Sequence, residues 1–264
     1  MMNNKDNIFI INRRKNKIKV VIMQIILAIL FFIGWEILAY SKIINSFLFS
    51  KPSSIYRMFI QYLFHGNLIK HIGYSVLETI LGLFFGTVIG LIVAIILWWN
   101  KLIARIFDPF LVVLNALPKT ALAPIFIIWA GTGIKGITVV ATSISLVITI
   151  LTAYSYFIQI EEDKIKMLQS FKASKWQILV KLILPSNFPN LISIVKINIG
   201  MSWVGVIVGE FIVSRYGIGY LIVYGSQIFK MDLVMMGVFV LAIIAFIMYE
   251  FVHIIEKKFK SKRG

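Results

Sequence analysis

The sequence predicts an all-α polytopic membrane protein with about six transmembrane helices, and three observations predict it. Hydrophobic residues make up 59% of the 264-residue chain and charged residues only 14%, against about half and about a quarter in soluble domains. The apolar residues gather in runs long enough to cross a bilayer, which takes about 20 residues per helix. Basic residues concentrate in alternate connections between those runs, the pattern expected where Lys and Arg stay on the cytoplasmic side. So many spans leave one membrane domain with tails and little chain for a separate soluble unit.

Taken in order, residues 1–19 hold six Lys/Arg against one acid and read as a basic cytoplasmic tail. The apolar run over 20–40 is long for the core of a signal peptide, and no small-x-small cleavage site follows, so it reads as a retained first helix. Residues 41–71 form an external loop whose middle, PSSIYRMFIQYLFHG, is amphipathic; Ser53 or Ser54 is placed to cap a short helix there. The membrane core then occupies 72–256. Its second span covers 72–99. The third, 106–130, is interrupted by Pro118 and Pro124 and is expected to be kinked or partly unwound. The fourth covers 134–157. A polar loop, 159–187, separates it from the fifth span, 188–213. The segment SRYGIGYLIVYGSQIFK suits a re-entrant or interfacial piece, the sixth span covers 232–255, and residues 257–264 form a basic cytoplasmic tail.

Six spans put both termini on one side. The two tails, the 99–106 link and the 159–187 loop together hold 18 Lys/Arg, and the opposite side holds seven. Both termini and the 159–187 loop are therefore expected in the cytoplasm. The net charge of +16 is mostly topology, with the lipid bilayer as the partner and no need for nucleic acid.

Chemistry is largely excluded. The chain has no cysteine, which removes disulfides, thiolate metal sites and cysteine nucleophiles. Residues 131–136, GTGIKG, spell the dinucleotide fingerprint but join two membrane runs instead of a strand and a helix, so the match is rejected. There is no G-x4-G-K-[S/T] phosphate loop, so any ATP used is hydrolysed by another chain. His65, His71 and His253 lack the spacing of a metal or haem pair. Glu36, Glu78, Glu210 and Glu250 fall toward span ends, where water is near. No catalytic constellation, metal site or cofactor site results, and no enzyme.

Two features remain inside the membrane. Gly82, Gly86 and Gly90, with Ala94, line one helix face, and Gly205 and Gly209 repeat the spacing; such stripes let helices pack closely or slide as a gate. Ionisable residues inside a span are costly and usually face a cavity or a partner. Lys119, Lys196 and Glu210, with Ser202 on the same helix as the last two, are the candidates for a translocation pathway. Snorkelling to the cytoplasmic interface is the other reading of Lys196, and an outer-interface acid in water the other reading of Glu210.

The 159–187 loop is the most structured of the polar breaks. Ser174-Lys-Trp-Gln177 is a Ser-x-x-Gln capping box. Trp176, Leu179, Val180 and Ile183 then share a helical face, and Pro185 is expected to end the helix, since the residue before a proline avoids helical geometry. Upstream, EEDKIKMLQSF places Ile165, Leu168 and Phe171 on one face of a second short helix. The expectation is an angled helix pair with an exposed aromatic–aliphatic knob that fits a groove in a partner or lies flat on headgroups.

From about residue 47 to 259 the chain resembles the permease subunits of ABC importers of the nitrate/sulfonate/taurine type. Their cytoplasmic signature is Glu-Ala-Ala, three residues, Gly, nine residues, Ile-x-Leu-Pro. Aligning Ala173-Ser-Lys-Trp-Gln177 and Leu184-Pro185 puts Lys166-Met167-Leu168 at the Glu-Ala-Ala place, Lys172 at the usual Gly and Leu182 at the Ile. Ala116-Leu-Pro-Lys-Thr-Ala-Leu-Ala-Pro124 and the stretch from Gly200 through Glu210 to Gly217-Ile-Gly-Tyr-Leu221 resemble the same group. The resemblance implies the type I ABC importer transmembrane fold in a plasma membrane. It also implies a homodimer or paired permease with a pathway lined by spans three to five. An external solute-binding protein would deliver the substrate, and separate ATPase subunits holding ATP and Mg would bind the loop. It implies coupling through Lys166, Met167, Leu168, Phe171, Lys172, Ala173, Ser174, Trp176, Leu184 and Pro185. Sulfonates, nitrate, taurine and a vitamin precursor all remain open as substrates. An ion-coupled secondary transporter is the alternative class, and would show two similar halves with matching broken helices.

Overall fold

The computed structural model describes residues 4–261; residues 1–3 and 262–264, the extremities of the two basic tails, lie outside the described residues. Helix α1, Asn4–Tyr40, is continuous, so the basic N-terminal stretch is a helical extension of the first span. Its apolar part, Ile18–Tyr40, buries almost nothing within the chain. It touches the rest of the protein through Trp35 stacked on Phe239, with ring centroids 6.0 Å apart, and through Glu36. That side chain accepts hydrogen bonds from the backbone amide and hydroxyl of Ser53 at 3.0 and 2.8 Å. Ser53 is thus occupied elsewhere and does not cap. After a single turn, α2 (Ser46–Phe49), helix α3 (Pro52–His65) starts on proline at its first position, where the fixed φ suits a helix and the missing N–H is not needed.

Helix α4, Leu68–Trp99, begins four residues before the predicted span because Leu68 is buried in a cluster with Ile55 and Met58. Asn100 closes it and caps α5 (Lys101–Ala116), its side-chain oxygen accepting from the amides of Leu102 and Ile103 at 2.9 and 3.3 Å. The interruption read from Pro118 and Pro124 is a sharp corner. A 3-10 turn at Lys119–Leu122 separates α5 from α6 (Ala123–Ala130), and the two halves meet at 86°. Gly131 and Gly133, at φ 88° and 78°, then make a turn that residues with a Cβ rarely adopt.

Helix α7, Ile134–Ile158, is the central post of the bundle. The glycine stripe of α4 lies against it: a Cβ on Gly82, Gly86 or Gly90 would run into Ala141, Ser145 or Thr149 respectively. Gly205 and Gly209 of α10 press on the same helix, at Ala141 and Ile137. Both stripes are helix-packing seams.

Beyond α7 come α8 (Glu162–Ser170), α9 (Lys175–Ile178), a π turn at Leu179–Ile183, and α10 (Leu184–Val213). The helix expected to stop at Pro185 does not stop: Lys175–Val213 runs as one 39-residue element. The amide of Leu184 bonds to the carbonyl of Leu179, five residues back. This wider turn has already left the i→i−4 pattern where a proline lacks its donor and clashes. Helix α11, Ile218–Gln227, lies between α10 and α12, Met231–Ser261, as a short helix. Five helices are long and apolar enough to cross a membrane, and six if the bent α5–α6 pair is one span.

Candidate functional site

The loop holds two short helices, α8 and α9. The chain turns at Lys172, whose φ of 58° is the left-handed geometry that glycine would take more easily. The amide of Lys172 bonds to the Gln169 carbonyl at 2.8 Å and that of Ala173 to the Leu168 carbonyl at 3.0 Å. The Ser174 cap is reciprocal: its hydroxyl accepts from the Gln177 amide at 3.2 Å, and its own amide donates to Gln177 Oε1 at 2.8 Å.

The helical faces divide differently from the simple spacing. Ile178, Leu179 and Ile183 are buried against Ala94, Ala153 and Phe157, and Ile165, Leu168, Ala173 and Leu184 pack on the same cluster. Trp176 and Val180, grouped with Leu179 and Ile183 by periodicity, face outward. Phe171 is 76% exposed, Trp176 63% and Met167 55%. Lys175 fixes the pair to the end of α4, where it donates to the Trp99 carbonyl and sits 5.4 Å from the centroid of the Trp99 ring, a cation–π contact. Lys166 pairs only with Glu162 and Asp163 on its own helix, at 3.6 and 3.7 Å. A cavity of about 460 Å³ between α8, α9 and the α4–α5 link is lined by Trp98, Lys101, Lys166 and Lys175. The outcome is a helix pair seated on the bundle with exposed aromatic rings at its tip.

The four pathway candidates are scattered. Lys119 sits at the α5–α6 corner and donates to the Asn115 carbonyl at 3.0 Å. Lys196 is ion-paired with Glu256 of α12 and lies 3.1 Å from His253 Nδ1, so it bridges two helices and does not snorkel. Ser202 is fully buried, and its hydroxyl has no partner among the described residues. One turn earlier, Asn198 donates to Thr87 and Thr149 at 2.9 and 2.6 Å, tying α10 to α4 and α7. Sequence reading passed over Asn198; a lone amide inside an apolar run was the available signal.

Glu210 and Glu78 are not in water. They are 2% and 1% exposed. Glu210 accepts from the Ser75 hydroxyl and the Gly219 amide, both at 2.5 Å, and Ser75 in turn accepts from the Ile218 amide at 2.8 Å. His71 Nδ1 lies 3.1 Å from the Gly217 amide, and its ring stacks on Tyr220 at 5.8 Å. Nearby, a cavity of about 400 Å³ is lined by Tyr62, His65, His71, Tyr220 and Tyr224. The two histidines that looked unrelated thus share one wall, and burial pushes the Tyr62 phenol above its ordinary range. Among the described residues no group of three or more potential metal ligands occurs.

A helical membrane bundle with a broken span and a two-helix knob between its fourth and fifth crossings has the form of a transport subunit. The sequence pattern of the binding-protein-dependent transport system inner membrane component family matches residues 86–261, and the chain belongs to that family. It is 26% identical over 232 residues to a Bacillus subtilis (strain 168) protein named aliphatic sulfonates transport permease protein SsuC, covering 87% of this chain and 83% of that one. It is 24% identical over 227 residues to the taurine transport system permease protein TauC of Escherichia coli (strain K12), covering 84% and 82%. Its fold matches a chain of the MetNI methionine ABC transporter in an inward-facing conformation, with a TM-score of 0.66 at 19% identity over 72% of this chain and 95% of that one. The chain is a membrane-spanning permease subunit of an ABC importer, and a transport permease instead of an enzyme.

Proposed function

We propose that two such permease subunits, identical or paired, enclose a pathway. An external solute-binding protein delivers a small solute of the sulfonate, taurine, nitrate or vitamin-precursor kind to it. Separate ATPase subunits, which hold the ATP and Mg, dock on the 159–187 loop from the cytoplasm, where both termini also lie. The observation that carries this reading is the exposed Phe171 and Trp176 tip, with Trp176 on a helix that continues into the fifth span. A push on the tip is transmitted along a rigid rod to the centre of the membrane, so nucleotide bound to one chain biases the conformation of another.

In this reading the coupling element is Lys166–Leu168, Phe171–Ser174, Trp176 and the Leu184-Pro185 end. The pathway draws on Lys119 at the corner of the broken span and on Ser202, with Lys196 and Glu210 at its borders. The core 72–256 does the transporting, and the first span with its loop, 20–71, flanks it. Phe171→Asp or Trp176→Asp should abolish co-purification of the ATPase while membrane insertion and thermal stability stay unchanged, since neither ring is buried. An ATPase that still co-purifies with the double variant would end the proposal.

A further inference from the structure

The end of α4 remote from Trp99 and the coupling loop borders a polar cavity that the coupling reading does not use. It holds about 400 Å³ and is lined by Gln61, Tyr62 and His65 of α3, His71 of α4, and Tyr220 and Tyr224 of α11. That size falls in the range of small-molecule sites, and no carboxylate lines it among the described residues.

His71 is 7% exposed, and its surroundings fix where its hydrogen sits. Nδ1 lies 3.1 Å from both the amide nitrogen and the carbonyl oxygen of Gly217. The carbonyl already accepts from the Leu221 amide at 3.3 Å. The Gly217 amide is buried and has no other acceptor among the described residues, and a buried amide left unpaired is costly. Nδ1 therefore accepts, and the hydrogen is on Nε2. No described residue receives that hydrogen. The hydroxyls of Tyr62, Tyr220 and Tyr224 are also without partners among the described residues.

The cavity thus offers one imidazole N–H that can only donate and three phenols free to donate. The ring faces are turned to each other: His71 stacks on Tyr220 at 5.8 Å and 3°, and Tyr220 on Tyr224 at 5.9 Å and 13°. A cage for an organic cation needs open faces. Charge points the same way. Lys70 Nζ lies 4.0 Å from the centroid of the Tyr216 ring, which packs on His71 with centroids 5.8 Å apart. The neighbouring acid, Glu210, has both oxygens engaged by Ser75 and Gly219. The Gly217 backbone separates it from His71, since the amide there meets the imidazole while a Cβ would strike the Glu210 carboxylate.

We propose that this cavity binds the acid group of a small organic anion (a sulfonate, phosphate or carboxylate), with His71 Nε2–H and the Tyr62, Tyr220 and Tyr224 hydroxyls as donors. The contact of Nδ1 with the 217–219 turn aims the imidazole before the ligand arrives, which lowers the cost of binding. The inference concerns a single chain and rests on neither the ATPase reading nor the orientation.

The test is 15N NMR of the purified chain labelled at its three histidines, titrated with sodium methanesulfonate against sodium chloride at equal ionic strength. The expected result is the Nε2–H form of His71 in the free chain and a saturable shift of that N–H signal. His71→Asn keeps an oxygen for the Gly217 amide and removes the donor; followed by the His65 signal, methanesulfonate should bind it about tenfold more weakly. Tyr62→Phe and Tyr224→Phe each remove one hydroxyl and should weaken binding several-fold. Absence of a saturable shift in the parent chain would overturn the proposal. So would an Nδ1–H form of His71, a shift produced by tetramethylammonium chloride and not by methanesulfonate, or undiminished affinity in all three variants. If His71→Asn does not fold, the two Phe variants decide: weaker binding supports the site, and parent-like binding in both overturns it.

Discussion

Gly200 and Gly205 stand five residues apart on α10 and are the same amino acid for different reasons. A Cβ on Gly200 meets nothing within 4 Å, whereas one on Gly205 meets the Ala141 backbone, which cannot turn aside as a flexible side chain can. Gly205→Ala should therefore cost about 1–3 kcal/mol of overpacking. Gly200→Ala should be neutral or gain a few tenths from helix propensity, about 1 kcal/mol at most. Thermal unfolding of the two variants in detergent checks this, and equal midpoints would contradict it. The every-fourth-residue glycine stripes were legible in the sequence because both partners of a seam obey one helical period. The meeting of Ser75 with Glu210 was not, because 135 positions separate them and no local rule connects a residue near the start of one span to one near the end of another.

At the scale of elements, the coupling pair shows what local rules capture and where packing overrides them. The capping box at Ser174 appears as read, since it depends on four consecutive residues. The stop at Pro185 does not, because a π turn, whose signature is tertiary, absorbs the proline. Lys172 lies between these cases. Its turn forms although the favoured glycine is missing, since the Ser174 cap on one side and the Ala173 amide bond to the Leu168 carbonyl on the other hold the geometry. The left-handed backbone costs a residue with a Cβ about 1 kcal/mol. Lys172→Gly should recover that amount and slow limited proteolysis between α8 and α9, with ATPase association unchanged. Faster cleavage would mean that the gain in chain freedom outweighs the relief.

At the scale of the whole molecule, the orientation rests on charge distribution, since the bundle itself would pack equally well either way up. The proposed orientation, with 18 Lys/Arg on the cytoplasmic side and seven on the other, would put α8 and α9 in the cytoplasm and α11 outside. Because the chain lacks cysteine, single substitutions report this directly. Ser226→Cys on α11 should react with a membrane-impermeant maleimide in intact cells, and Gln169→Cys on α8 only after the membrane is opened; both side chains are exposed in the structure. The opposite pattern would place the coupling tip outside and end the ATPase reading. Neutralising the five basic residues of 257–264 should leave the pattern unchanged. The N-terminal stretch, the 99–106 link and the 159–187 loop still outnumber the other side, and orientation follows the sum of those charges and not the last of them.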